Sequence, residues 1–401
     1  MIGKALEVRR IVAHLVEIPF RFSFGHALAS RSTSRNLVVR VELTDGTVGY
    51  GEGVPREYVT GETPDSALAR VVEAYGPALC GRELPARDVA RGLRAIRDEL
   101  HDGRPDPGAS WCAVETALLD AIGHATGYNA ADLLGGGVRA SVRYSGVVPF
   151  ASGPALVGLL LFSRLYGFHD VKLKLGRSPA IDLQTVQLAR QILGPEVALR
   201  ADANCAWTAD EALEMATRLR PFGVESYEQP VGADDLAGLV RLHRSLPEDI
   251  VVDESLRSLA DARRIVAAGA CSVLNVRVSK CGGPLAALEM VELADRAGIA
   301  CQIGAQVGES GILTAAGRLV ATVARPGFRH HEGSDNLFLL RRDLTVENVT
   351  VRPGGRGDAL TGPGLGVRVR PDALHHLSRQ HAVIDAPLRQ LTAARSLVGG
   401  R

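Results

Sequence analysis

The chain has 401 residues, 46% of them hydrophobic and 23% charged, with a formal net charge of +1. That length is more than one small core needs and suits a barrel plus an accessory domain. Near-neutral charge excludes a bulk electrostatic case for nucleic acid or an anionic membrane, so a small acidic substrate would need a local cationic site. The longest apolar stretches, such as 155–162, fall far short of the ~20 residues of a spanning helix. The opening Met1-Ile2-Gly3-Lys4 lacks the apolar core of a secretory signal. Cysteines at 80, 112, 205, 271, 281 and 301 include no C-x-x-C pair. They suit reduced thiols in a cytoplasmic enzyme rather than a structural zinc site.

Residues 9–19 and 36–43 carry β-branched and apolar residues, and Thr44-Asp45-Gly46-Thr47 turns the chain into a strand at 48–52. From Pro64 the pattern is helical, over 65–79, 86–100 and 110–126, with Pro105-Asp106-Pro107-Gly108 separating the last two. After Leu133-Leu134-Gly135-Gly136 short apolar strands alternate with amphipathic helices. Strands are predicted at 142–148, 170–175, 198–203, 225–229, 250–253, 273–278 and 300–303, with a weaker one at 329–332. This rhythm predicts parallel strands joined by crossover helices, and about eight units in a row favour a barrel over an open sheet. From about Asp343 the tail returns to Gly/Pro-rich loops and short strands, and is expected to fold back onto the N-terminal part. The predicted domains are 1–135, a barrel over 136–342, and a returning segment over 343–401.

The chemistry sits at the predicted strand ends. In Val171-Lys172-Leu173-Lys174 the two lysines share one face of a strand, toward the barrel interior if Val171 and Leu173 pack outward. Crowding and burial are expected to lower their pKa values toward neutrality, as a lysine base requires. Asp202, Glu228 and Asp253 each stand at a strand terminus, one strand-helix unit apart. Three neighbouring parallel strands would gather them at one rim, where oxygen-only ligands suit Mg²⁺ or Mn²⁺. Any one of these acids alone reads as a helix cap or loop charge. Asn204 and Glu254 are taken as supporting neighbours. Lys280 closes the sixth strand, opposite the lysine pair, although alone it reads as a surface cation. Glu309 follows the seventh strand and either pairs with Lys280, relays a proton, or is an ordinary acid at a helix start. Two amines facing one bound carboxylate would move the proton α to it, with the divalent ion and Lys172 stabilising the enolate.

These motifs together resemble the enolase superfamily, in its muconate-lactonizing-enzyme-like branch, the mandelate racemase/muconate lactonizing enzyme family. The pattern is Lys172-x-Lys174, Asp202-Ala203-Asn204, Glu228-Gln229-Pro230, Asp253-Glu254-Ser255, Lys280-Cys281-Gly282-Gly283 and Gly308-Glu309-Ser310-Gly311. The resemblance covers nearly the whole chain. It implies an α/β fold, a modified TIM barrel (β/α)₇β with an α+β capping domain built from both termini. It also implies that selectivity lies in two cap loops, 22–35 and about 55–63, where His26, Arg31, Arg35, Arg56 and Tyr58 are candidate substrate contacts. Lys280 stands where the mandelate-racemase-like branch uses a His-Asp pair. His330-His331-Glu332-Gly333 lacks the D-x-D that dipeptide epimerases of this type use for an α-amino group.

The expected function is thus a Mg²⁺-dependent isomerase, a racemase/epimerase or cycloisomerase, acting on a small carboxylate as a homo-oligomer with no nucleic-acid or membrane partner. A lyase working through the same enolate is the alternative, and a non-catalytic metal-binding scaffold is a further one.

Overall fold

The computed structural model describes residues 6–101 and 108–387. Met1 to Lys4 and the predicted break at Pro105, Asp106 and Pro107 lie outside the described residues. Three long antiparallel strands open the chain: β1 (Leu6–His26), β2 (Ala29–Leu43) and β3 (Val48–Gly53), with the short β4 (Glu83–Leu84) against the start of β1. The stretch 22–35, expected as a loop, is instead the tip of the β1–β2 hairpin. There Phe24 pairs with Arg31 and Gly25 with Ser30, so backbone ladder bonds carry the chain through it. The expected helix over 65–79 is Pro64–Arg70 and Gly76–Leu79 around a π-helical turn, Val71–Tyr75. Thr63 and Ser66 cap its start reciprocally.

The helix Ala109–Thr126 lies directly on β3. Gly49, Gly51 and Gly53 alternate on β3 and so share a face. Opposite them Ala109, Ala113, Ala117 and Ala121 recur every fourth residue, one helical stripe. Two strand residues span about 6.8 Å and four helical residues about 6.0 Å, so the two periods run nearly in step and the backbones approach closely.

Beyond the cap, β5 (Ser141–Arg143) precedes seven parallel strands in sequential order: β6 (Gly146–Val148), β7 (Asp170–Lys174), β8 (Ala198–Asp202), β9 (Val224–Glu228), β10 (Asp249–Val252), β11 (Val273–Arg277) and β12 (Ala300–Gly304). The strand expected over 142–148 is therefore two. β5 pairs antiparallel with β13 (Arg356–Asp358), and only β6 joins the barrel, because Tyr144 N turns to donate to Gly355 O. No strand of regular length forms at 329–332. That segment still bridges the gap: Ile303 N donates to His330 O, Glu332 N to Ile303 O, and Ser145 N to His331 O. Finally β14 (Ser378–Asp385) runs antiparallel along β1.

The barrel's apolar core lies between strands and outer helices, where Val171, Leu173, Leu199, Ala201 and Tyr227 face outward and are buried. The cap has its own core, to which the barrel helix Gly311–Val323 contributes Ile312, Ala315 and Leu319. All six cysteines are free and five are buried. No helix among the described residues is long and apolar enough to cross a membrane.

Candidate active site

With apolar residues facing outward, the alternate positions of each barrel strand point inward and carry polar groups: Lys172 and Lys174, Arg200 and Asp202, Ser226 and Glu228, Asn275 and Arg277. Register sets their level. Lys174 pairs with Asp202 across β7–β8, and Asp202 with Glu228 across β8–β9. Asp253 follows the end of β10 one step higher, since Glu228 pairs with Val251.

The three predicted metal acids are buried and threaded together by cations. Lys172 Nζ lies 3.2 Å from Asp202, 2.9 Å from Glu228 and 2.6 Å from Glu332. Lys174 Nζ donates to Asp202 Oδ2 at 2.5 Å and Asn204 Oδ1 at 2.9 Å. Arg277 pairs with Asp253 and stands 3.9 Å from Glu228. Lys280 Nζ is tied to Asp253 Oδ1 at 2.7 Å, to the Asp253 carbonyl at 2.6 Å and to Asn275 O at 3.2 Å.

Left-handed backbone at three non-glycine residues shapes this rim: Asn204 (φ 44°) and Cys205 (φ 67°) shortly after Asp202, and Gln229 (φ 35°) directly after Glu228. Asn204 thereby reaches both Lys174 and Glu254, donating to Glu254 Oε1 at 2.9 Å. Gln229 Oε1 accepts from the amides of Asp253 and Ser255, at 3.0 and 3.1 Å, and stitches the β9 end to the β10 end.

Charge states follow from these neighbours. Burial opposes charge on Lys172, but Glu228, Glu332 and Asp202 outweigh it and hold its pKa above the usual lysine value. This corrects the expectation that crowding lowers it, because the acids around this ammonium outnumber the cations. Asp202 is likewise kept well below the ordinary range: burial raises it, and Lys174 and Lys172 prevail. The lowered value expected of the lysine pair is found instead at Lys280, brought down to about 7 by burial, with Arg277 adding to it. Burial, with the Asp202 charge, pushes Glu254 up to about 7. Burial raises Glu309 to about 8, but its Oε1 accepts from Gln306 N at 2.6 Å, so its hydrogen bond goes to that turn and not to Lys280.

A cavity of about 90 Å³ opens over this layer. Lys172, Lys174, Glu254, Arg277 and Glu309 line it, while Asp202, Glu228, Asp253 and Lys280 lie behind them. The cap supplies the far wall with Phe24, Arg31, Arg56 and Tyr58. Arg31 stacks over the Tyr58 ring at 5.8 Å, and its Nε is buried without a partner. Arg56 is held by Ser34 Oγ and the carbonyls of Pro55 and Arg35, and burial lowers its pKa to about 10. Arg35 instead pairs with Asp65 on the surface. His26 ends β1, and its side chain lies outside the described residues. His330 pairs with Asp170 at the start of β7 and His331 with Arg143 O, both away from the cavity.

Sequence reasoning passed over Glu332, Gln302, Asn275 and Arg277. Gln302 and Asn275 each donate to Glu228, at 2.8 and 2.9 Å. Glu332 joins Lys172 to Arg200. The signal that could have found Asn275, Arg277 and Gln302 is strand alternation, which puts them on the inward face.

Among the described residues no three His, Cys, Asp or Glu side chains stand ready as they are to hold an ion, because ammonium and guanidinium groups fill the space between the acids. The donor set nevertheless fits a hard dication. It is all oxygen, it is buried, and two acceptors beside it, Glu254 Oε2 and Asn275 Oδ1, are buried without any donor.

Residues 162–373 match the family described as enolase C-terminal domain-like, and residues 7–135 that described as mandelate racemase / muconate lactonizing enzyme, N-terminal domain. Muconate cycloisomerase 1 of Rhodococcus opacus is 30% identical over 381 residues, covering 93% of this chain and 99% of that protein. The structure of N-succinyl Arg/Lys racemase from Bacillus cereus superposes with a TM-score of 0.87 at 25% identity, covering 94% and 100% of the two chains. A dipeptide epimerase from Enterococcus faecalis, solved with Mg and the dipeptide L-Leu-L-Tyr, gives 0.83 at 26% identity, covering 90% and 99%.

Proposed function

The chain belongs to the mandelate racemase/muconate lactonizing enzyme family of the enolase superfamily and is an isomerase, and from that premise we propose a Mg²⁺-dependent racemase, epimerase or cycloisomerase that moves the proton α to a substrate carboxylate between lysines. One observation carries this reading: amines and acids alternate around one buried layer, Lys174–Asp202–Lys172–Glu228 on one side and Arg277–Asp253–Lys280 on the other. Binding alone needs acids; it does not need a lysine on each side of them.

Asp202, Glu228 and Asp253 would hold the ion, and Mn²⁺ suits the same donors. When bound, the ion supplies positive charge for the negative charge that develops on the substrate carboxylate. The rest falls to the chain. Lys172, kept charged by its acids, adds a fixed positive field beside that carboxylate. Lys174, set by Asn204, takes or returns the proton on one face, and Lys280 serves the other. Glu254 and Asn204 brace the rim. Arg31, Arg56 and Tyr58 close the cavity from the cap and exclude water, Arg31 offering a free donor to an anionic or carbonyl group. Residues 1–135 are read as the cap, 136–342 as the barrel and 343–401 as the return to the cap. Six free cysteines support a reducing compartment such as the cytoplasm.

The test is α-proton exchange in D₂O, with and without Mg²⁺, across N-acyl amino acids, dipeptides, hydroxy acids and unsaturated diacids. The expected result is Mg²⁺-dependent deuterium incorporation, or an isomer, from one class. A dehydrated product would make the enzyme a lyase, and the absence of exchange in every class would make it a scaffold.

A further inference from the structure

One acid in the cavity has no counterpart in the scheme above. Asp335 follows the bridging segment 329–332, and among the described residues its side chain has no hydrogen-bond or ion-pair partner. No cation of the same cavity pairs with it: Lys172 goes to Glu228, Glu332 and Asp202, Lys174 to Asp202, Arg277 to Asp253, and Arg31 stacks over Tyr58. Its nearest charged neighbour on its own segment is Glu332, which adds to burial in pushing Asp335 up to about 7. A carboxyl so placed is costly unless a partner arrives.

Asp335 also lines a second chamber of about 80 Å³, which shares Phe24, Val147 and Leu339 with the first as wall residues. The other rings around it are Phe22, Phe162, Phe168 and Phe338. Phe162 and Phe338 meet edge to face at 5.3 Å between centroids, braced by Tyr166 at 5.1 and 5.4 Å. Ser163 is the one other polar side chain in the lining, and its hydroxyl is already donated to Leu159 O at 2.9 Å. A chamber for hydrocarbon would carry no acid, and one for an anion would carry a donor. Aromatic faces with a single unpaired carboxylate match a cation on an apolar stem, since ring quadrupoles and the acid attract the same charge.

We propose that this chamber is a subsite for an ammonium group, primary or N-methylated, carried a few atoms from the reacting carbon of the substrate. Asp335 takes the charge and the phenylalanines take the flanking carbons. The volume suits a small group, roughly five water-sized atoms. This rests on the isomerase reading for the word substrate, but its test does not need turnover.

The probes are n-butylammonium and tetramethylammonium, with n-butanol as the neutral counterpart, binding to the full chain with Mg²⁺ present by saturation-transfer NMR. Both cations are expected to bind about tenfold or more tightly than butanol, and Asp335→Asn to erase most of that preference. Phe162→Leu, at a half-exposed ring that the fold does not need, is expected to weaken tetramethylammonium more than butanol. Equal binding of cation and alcohol to the unaltered protein, or a preference that survives both substitutions, overturns the subsite. Cation binding that depends on Asp335, together with no α-proton exchange from any carboxylate, sinks the isomerase reading and leaves the subsite. Exchange confined to uncharged carboxylates, without cation binding, does the reverse.

Discussion

Gly51→Ala probes the strand-helix packing inside the cap, next to the residue that ties the cap to the barrel. The added Cβ would lie 2.0 Å from Ala113 O and 2.4 Å from Ala117 N, where ordinary contact begins near 3.4 Å. Both neighbours are backbone atoms of the helix Ala109–Thr126, so no rotamer change relieves the overlap. The strand or the helix must move by more than an ångström, and the cost falls at the upper end for overpacking, about 3 kcal/mol. Glu52, the next residue, moves with it. Its carboxylate accepts from Ser310 N and Oγ, Leu313 N and Asn36 Nδ2, and so holds the start of the helix Gly311–Val323 beside Glu309. Gly158→Ala is the control: it sits inside the helix Gly153–Tyr166 with nothing within 4 Å of the new methyl. It is expected to stabilise by about 0.5–1 kcal/mol, the helical advantage of alanine over glycine. Urea midpoints of the full chain read both. A Gly51→Ala midpoint within about 0.5 kcal/mol of the parent would refute the close strand-helix packing, because no side chain there can absorb the methyl.

Glu115 is buried, accepts from Trp111 Nε1 and Leu285 N, and is pushed up to about 7 by burial. Its folded pKa lies above the unfolded one, so its stabilisation is full below about pH 4.5 and is lost as pH rises through 7, about 3 kcal/mol in all. Glu115→Gln should flatten that part of the Tm–pH profile; parallel profiles would contradict it. Arg200→Met leaves Asp170 and Glu332 without their shared guanidinium, and should cost about 3–5 kcal/mol in urea denaturation. An unchanged midpoint would mean that His330 and Lys172 suffice for those acids. Asp202→Asn should weaken Mg²⁺ binding, read by calorimetry, by about 100-fold or more; an unaltered Kd would remove Asp202 from the ligand set.

Much of this arrangement was legible because strand periodicity is two. Once Val171 and Leu173 are placed outward, Lys172 and Lys174 must face the axis, and the same step repeats through Asp202 and Glu228. Eight units at regular spacing likewise announced a barrel, and the cap's outline followed from the family resemblance. What escaped reading depends on neighbours distant in sequence. Lys172 keeps its proton because Glu228 and Glu332, 56 and 160 residues on, both accept from it. Glu309 turns to Gln306 because a local amide is nearer than a lysine on another strand. The hairpin tip at 22–35 has the Ser- and Arg-rich composition of a loop, yet its ladder bonds make it strand. Asp335 is an ordinary loop acid until the rings of three separate segments are seen around it.

Deuterium exchange resolved by stereochemical face asks most directly whether amines work from both sides of the bound carboxylate. With Mg²⁺ affinity retained, Lys174→Ala should lose incorporation from one enantiomeric face by at least about 100-fold while the other persists, and Lys280→Ala should show the opposite pattern. Equal loss from both faces in each variant, with metal binding intact, would mean that the two lysines do not act as opposed bases.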